Sequence, residues 1–377
     1  MVLDRFTRKL FFMKKLCACF NIILCIPVWA LFSCDKSNGN NANTTPVNTK
    51  DSVVATGLSY VWEILWGPDD FIWFTERNGQ ISRMDPQTGD ILPLLTVNEV
   101  VDQGEGGLLG MVVNGNTSIP QVYIVYNYTS NGYREKVVRY SFENNTLTNP
   151  TPIIDNIPAA GIHNGSRLAI VNDKLFISTG DASNTSNAQN INSLSGKILR
   201  LNLDGTIPAD NPVPGNPYWS IGHRNPQGMV FANNKLYISE HGPGNDDEIN
   251  IVEKNRNYGW PDVQGFCNSN SEQQYCTSNN IAEPIYAWTP TIATCGLDYY
   301  DSDRIPQWKN SLLLATLKDE TLYQLKLDNN GTSVSSVSEF ISGKYGRLRD
   351  VCISPAGDVY VSTSNGSNDK IIRILPE

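Results

Sequence analysis

The chain has 377 residues, with 40% hydrophobic and 18% charged side chains, Lys+Arg 29 against Asp+Glu 38, and a formal net charge of -9. That much apolar mass supports a core and excludes a wholly disordered chain, while the length allows two average domains or one large β architecture. So acidic a chain has no general affinity for phosphate backbones, which argues against nucleic acid as a partner. Three histidines are also too few for a zinc centre built on a histidine cluster.

At the N-terminus, Arg5, Arg8, Lys9, Lys14 and Lys15 precede a run from Leu16 to Phe32 without a charge. Leu31-Phe32-Ser33-Cys34 follows, and then Asp35. A basic region, an apolar region and a small residue before Cys read as a bacterial lipoprotein signal over residues 1–33; an uncleaved membrane anchor and ordinary secretion are the alternatives. On this reading Cys34 carries the lipid, residues 34–50 form a polar tether, and residues 51–377 form the folded domain. The protein is then exported, faces the periplasm or the cell surface, and meets a membrane only through its lipid. Of the eight cysteines, Cys267, Cys276, Cys295 and Cys352 remain in the folded domain, in a disulfide-permissive compartment. Cys267 and Cys276 bracket a polar loop and are the expected pair. No C-x-x-C spacing suggests a metal.

Beyond residue 50 helical periodicity is almost absent, and short β-rich runs recur with turn signals between them. The clearest copies lie at 64–90, 167–205, 228–260 and 350–377, with looser ones at 107–145 and 311–331. Each reads as an apolar strand, an Asn/Asp/Gly turn, an alternating strand, a loop and a third strand. Six such units, at roughly 55 residues each, predict an all-β fold, a six-bladed β-propeller of four-stranded antiparallel blades. A pair of β-sandwiches is the alternative, but no linker divides the chain. In a propeller the long loops gather at one rim, where function is expected.

All three histidines fall in such loops: His163 in GIHNGSRL (161–168), His223 in IGHRNPQG (221–228) and His241 in SEHGPGNDDEIN (239–250). An imidazole is the best general base near neutral pH, although a lone histidine is as often structural. In the third loop Gly242-Pro243 can expose carbonyls and Asp246, Asp247 and Glu248 supply charge, the oxygen donors that hard cations prefer; a solvated acidic turn is the alternative. A cationic set stands out against the acidic background: Arg224 beside Asn225, Lys318 in TLKDE, and Arg347 and Arg349 in GRLRDV. Two arginines two apart on an extended segment share a face and repel unless an anion lies between them. Ordinary ion pairing between blades is the alternative.

Together the motifs GEGGLLG (104–110), GKILRLNLDGTIPADNP (196–212), GHRNPQGMVF (222–231), EHGPGNDDEINIVEKNRNYGWP (240–261), LKDETLYQLKLD (317–328) and GRLRDV (346–351) resemble the soluble quinoprotein aldose dehydrogenases. These are six-bladed propellers that use pyrroloquinoline quinone (PQQ) and calcium. The resemblance implies His163 as the base for the anomeric hydroxyl and Asp181 as the carboxylate that orients it. It implies Arg224 and Asn225 as contacts to the quinone carbonyls, and Lys318, Arg347 and Arg349 as holders of the cofactor carboxylates. It further implies carbonyls of Gly242 and Pro243 as calcium ligands, with Glu248 and the Tyr258 carbonyl at a further calcium position. The partners are then a small aldose and an external electron acceptor, with the oligomeric state open.

Two positions depart from the family pattern. Glu105 replaces the usual Gln near cofactor and substrate, where its carboxylate could act on His163 or repel anionic PQQ. Ile162 replaces an Asp found before the base in some glucose-oxidising members. Competing readings are a propeller that binds carbohydrate or protein without turnover, and a calcium-dependent lactonase or hydrolase on the same scaffold.

Overall fold

Five of the six repeats each fold into one antiparallel sheet of four strands, because strictly local hairpins let consecutive strands pair in order. The computed structural model describes residues 46–377; the signal, Cys34 and most of the tether lie outside the described residues. The innermost strands of the six sheets are Val61–Trp66, Leu108–Asn114, Gly165–Val171, Pro226–Ala232, Thr294–Tyr300 and Leu348–Ile353. Each packs against the innermost strand of the next blade, and the sixth against the first, so the sheets close into a ring around a central channel.

Closure depends on the chain's N-terminal end. The last repeat supplies three strands, Leu348–Ile353, Val359–Thr363 and Asp369–Pro376, and the outer strand of that blade is Thr49–Leu58. Thr49 faces Pro376 and Leu58 faces Asp369. Thr49 and Lys50, which the sequence reading leaves in the tether, are therefore already in the sheet. The fourth strand of this blade alone is donated from the opposite end of the chain.

Both faces of each inner blade wall are buried against neighbours. Trp73, Ile81, Leu108, Ile124 and Tyr126 interlock between the first and second blades, and Ala55, Leu58, Phe74, Cys352 and Tyr360 fill the seam where the ring closes. Inner strands run away from one face of the ring. The turns between blades, and those joining second to third strands, therefore gather at the face where the inner strands begin.

Among the described residues, Ser186–Gln189, Pro306–Trp308 and Asn270–Asn279 depart from the β pattern as short helical elements. Residues Asn270–Asn279 form a helix that buries no side chain, so no apolar period announces it. It starts at a capping box between Ser269 and Glu272. Cys276 within it pairs with Cys267, as expected, at a Cα–Cα distance of 6.7 Å.

The seam makes the N-terminal strand essential. Leu58, 4% exposed, should cost about 2–4 kcal/mol when truncated to Ala. Removing residues 1–59 should abolish a single cooperative unfolding transition, both read by chemical denaturation.

Candidate active site

The turn from the second blade into the third carries His163, whose backbone is left-handed at φ 62. Its Nδ1 lies 2.9 Å from Asp181 Oδ1, and the Asp181 carboxylate is almost wholly buried. Asp181 follows the strand Lys174–Thr179, so the two residues are brought together by one hairpin of the third blade. The second carboxylate oxygen accepts the indole N–H of Trp260 at 2.9 Å, and the Ser183 N–H adds a bond of 2.8 Å to Oδ1. A carboxylate on Nδ1 favours the tautomer with its proton there, leaving Nε2 with the lone pair. Among the described residues Nε2 has no hydrogen-bond partner.

Arg224 and Asn225 sit on the next inter-blade turn. Asn225 Oδ1 accepts the Gly165 N–H at 3.1 Å, which fixes the His163 turn to this one and leaves the amide N–H groups to donate. Arg224 donates to the His241 carbonyl at 3.1 Å and lies 5.2 Å from the centre of the Trp260 ring, with its Nε buried and unpartnered. Glu240 holds this turn from below. It accepts the Arg224 backbone N–H on one oxygen and faces His223 Nδ1 at 2.9 Å on the other. Sequence reasoning gave Glu240 no role, because nothing local distinguishes it from a rim carboxylate.

The histidines thus divide. His223 is fully buried between Ser220 and Glu240 and is structural. His241 lines the mouth and is pushed down to about 3, first by desolvation and then by Arg349 and Arg224, so it stays neutral. Only His163 has both a carboxylate partner and a free nitrogen.

A cavity of about 100 Å³ is lined by Glu105, Gln227, His241, Arg347 and Arg349 among others. Arg349 is buried. It donates to Gln227 Oε1 at 2.8 Å and to Cys295 Sγ at 3.4 Å, and its Nε is unpartnered. Burial pulls the Arg349 guanidinium below its usual range, with Arg347 contributing. Arg347 itself precedes the strand and is exposed, so the two meet at a cavity and do not share a strand face as the spacing suggests. Lys318 is exposed at the rim next to Leu317, which lines the same cavity, and its Nζ donates to Thr291 at 3.2 Å. Among the described residues none of Arg224, Lys318, Arg347 and Arg349 has a carboxylate within ion-pair distance. Glu105 reaches the same space, with its carboxylate 3.4 Å from the His163 N–H.

A smaller cavity, about 20 Å³, adjoins this one and is lined by Arg224, His241, Gly242, Pro243, Glu248, Tyr258 and Trp260 among others. Among the described residues the carbonyls of Gly242, Pro243 and Tyr258 accept no hydrogen bond. Glu248 lies directly opposite Glu240 on the neighbouring strand, and burial, with Glu240 second, pushes its carboxyl up to about 8. The acidic triplet does not act as a unit. Asp247 turns inward to accept the N–H groups of Gly242, Ile292 and Ala293 at 2.8, 2.8 and 2.6 Å, while Asp246 bonds Thr289 at 2.9 Å. Alternation along a strand sends Asp247 to the side opposite Glu248, whereas Asp246 and Glu248 both line the small cavity, with Glu240 beside them. Larger grooves, about 510 and 550 Å³, lie between blades away from His163 and lack this cation set.

Fold and site together define a propeller enzyme, with an oriented imidazole beside a cationic seat and exposed backbone carbonyls. The chain belongs to the glucose/sorbosone dehydrogenase family, whose profile matches residues 58–373. It is 30% identical to the aldose sugar dehydrogenase YliI of Escherichia coli, over 88% of this chain and 94% of that protein. It is likewise 30% identical to quinoprotein glucose dehydrogenase B of Acinetobacter calcoaceticus, over 85% of this chain and 86% of that one. The PQQ-bound aldose sugar dehydrogenase of Streptomyces coelicolor superposes with a TM-score of 0.76 at 31% identity, covering 88% of this chain and 100% of that chain.

Just after the His163 turn, Ser166 donates to Glu135, a carboxyl buried in the second blade that burial pushes up to about 8 despite that bond. The unfolded chain loses this proton near the ordinary glutamate value, about 4.3, whereas the folded chain keeps it. Stability from this group is therefore full at low pH and lost as pH rises through about 8. Glu135→Gln should gain in melting temperature relative to wild type as pH goes from about 5 to about 8, measured by calorimetry.

Proposed function

We propose that the protein oxidises aldose sugars at C1 to lactones, using PQQ and calcium held at the channel mouth and passing electrons to an external acceptor. The observation that carries this reading is the set of cations without carboxylate partners next to the His163–Asp181 pair. An acidic protein that leaves buried guanidinium N–H groups of Arg224 and Arg349 unsatisfied suits a polyanion. Lys318, Arg347 and Arg349 would hold the cofactor carboxylates. Arg224 and the Asn225 amide would meet the quinone oxygens, and the Gly242 and Pro243 carbonyls would bind calcium. Glu248 and the Tyr258 carbonyl offer a further calcium position. When bound, PQQ supplies the hydride acceptor and calcium polarises its carbonyl.

The protein's own part is proton removal and orientation. His163 Nε2 takes the anomeric hydroxyl proton. Asp181, already bonded to Nδ1, stabilises the imidazolium that results. Ile162, 43% exposed in the same turn, presents an apolar surface beside the base. The substrate is therefore proposed as an aldose without singling out glucose. The proposal also places the protein outside the cytoplasm, anchored through a lipid on Cys34; the Cys267–Cys276 disulfide supports an oxidising compartment.

Dye-linked oxidation of simple aldoses after addition of PQQ and Ca²⁺ tests the reading. His163→Gln should retain PQQ and lose about 10²–10⁴-fold in turnover, whereas Arg347→Ala with Arg349→Ala should lose the cofactor. Activity that persists without PQQ would favour the hydrolase, and calcium binding with neither PQQ affinity nor turnover would favour the non-catalytic propeller. Glu105→Gln removes a negative charge from the seat and should tighten PQQ binding about threefold by titration.

A further inference from the structure

We infer that Trp260 is a positioning residue that ties the base to the cationic seat. It lies in the long connection after the strand Asp247–Val252, which pairs in parallel with Ile221 through Asn257. The Trp260 backbone is then fixed on both sides: its N–H donates to Gly222 at 3.1 Å, and its carbonyl accepts from Gln189 at 2.7 Å. The side chain closes a circuit of three contacts. Its indole N–H donates to Asp181 Oδ2 at 2.9 Å, its ring lies 5.2 Å from the Arg224 guanidinium, and the Asp181 N–H donates to the Arg224 carbonyl at 2.8 Å.

Each contact meets a need that nothing else fills. Asp181 is 1% exposed, and without the indole its Oδ2 has no donor among the described residues. Arg224 has no carboxylate partner among the described residues, so the aromatic face compensates part of its desolvation. The charged and titratable groups around His163 are Asp181 and Glu105, which it bonds, and His241, on which Arg224 and Arg349 also act. Of these, Trp260 touches two. Taking away the indole N–H concentrates charge on Asp181 and strengthens its hold on the imidazolium, so His163 gains proton affinity. Taking away the ring instead loosens Arg224. The consequence for turnover rests on the dehydrogenase reading; the consequence for His163 does not.

Trp260→Phe keeps a ring and removes the N–H, whereas Trp260→Leu removes both. In the PQQ-free, calcium-loaded protein, NMR titration of His163 in the Phe variant should move its midpoint up by at least half a unit, about threefold in proton affinity. PQQ affinity should stay within about threefold of wild type in the Phe variant and fall about tenfold in the Leu variant. An unmoved midpoint, or equal loss of PQQ from both variants, overturns the inference. Should the Phe variant not fold, the wild type decides. The Trp260 indole signal must follow the His163 titration with the same midpoint and become flat in His163→Gln, and an indole signal indifferent to that titration also overturns it. A wild type that binds no PQQ and turns over no aldose defeats the dehydrogenase reading alone, because the His163 and indole titrations are read without either.

Discussion

A guanidinium taken out of water costs free energy unless a carboxylate, a neutral acceptor or an aromatic face meets it. Other arginines of the fold receive the first: the buried Arg167 meets Glu63 and Asp350 and the buried Arg83 meets Asp69, as the half-buried Arg373 meets Asp358. At the channel mouth Arg224 and Arg349 receive only the weaker kinds, namely a carbonyl, an amide, a thiol and the rings of Trp260 and Trp62. In a chain with nine more acidic than basic side chains, this is not for want of carboxylates. The ring of sheets is what keeps such a cluster in place. Each inner strand is clamped between two neighbours, so the turns that carry the cations cannot separate to relieve the repulsion.

The carboxylates nearest the mouth serve the scaffold. Asp247 gathers three backbone N–H groups, Glu240 fixes the Arg224 turn, and Asp181 serves His163 and Trp260. Each is spent on hydrogen bonds that leave no oxygen for a guanidinium. The site is therefore organised by where the acids point, and its electrostatics follow from their commitments to the backbone. Glu105 is the exception, a carboxylate that reaches into the cationic space itself. It gives this member of the family a locally less positive seat than an amide would.

The repeats, the turn residues between them and the gathering of histidines and cations in loops were legible from the chain alone, because strand period and turn chemistry are local. So was the pairing of Cys267 with Cys276 across a short loop. The helix Asn270–Asn279 was not, since it has no apolar stripe, and neither was the strand exchange that seats Thr49–Leu58 beside Asp369–Pro376. Trp260 lay inside a recognised motif, but its role could not be read there. Its partners Asp181 and Arg224 come from other segments and reach it only once blade three is packed beside blade four.

By itself, then, the amino-acid order determined the number and kind of blades, the face that carries the loops, and the short menu of chemical groups at that face. Tertiary structure decided how each of them is placed. It buried His223 and kept His241 neutral, left His163 with an open nitrogen, divided Asp246, Asp247 and Glu248 among different neighbours, and withheld carboxylates from four cations. The reason is one of range. Periodicity and turn propensity are properties of a few consecutive residues, whereas burial, charge compensation and hydrogen-bond satisfaction depend on atoms that only the closed ring brings together.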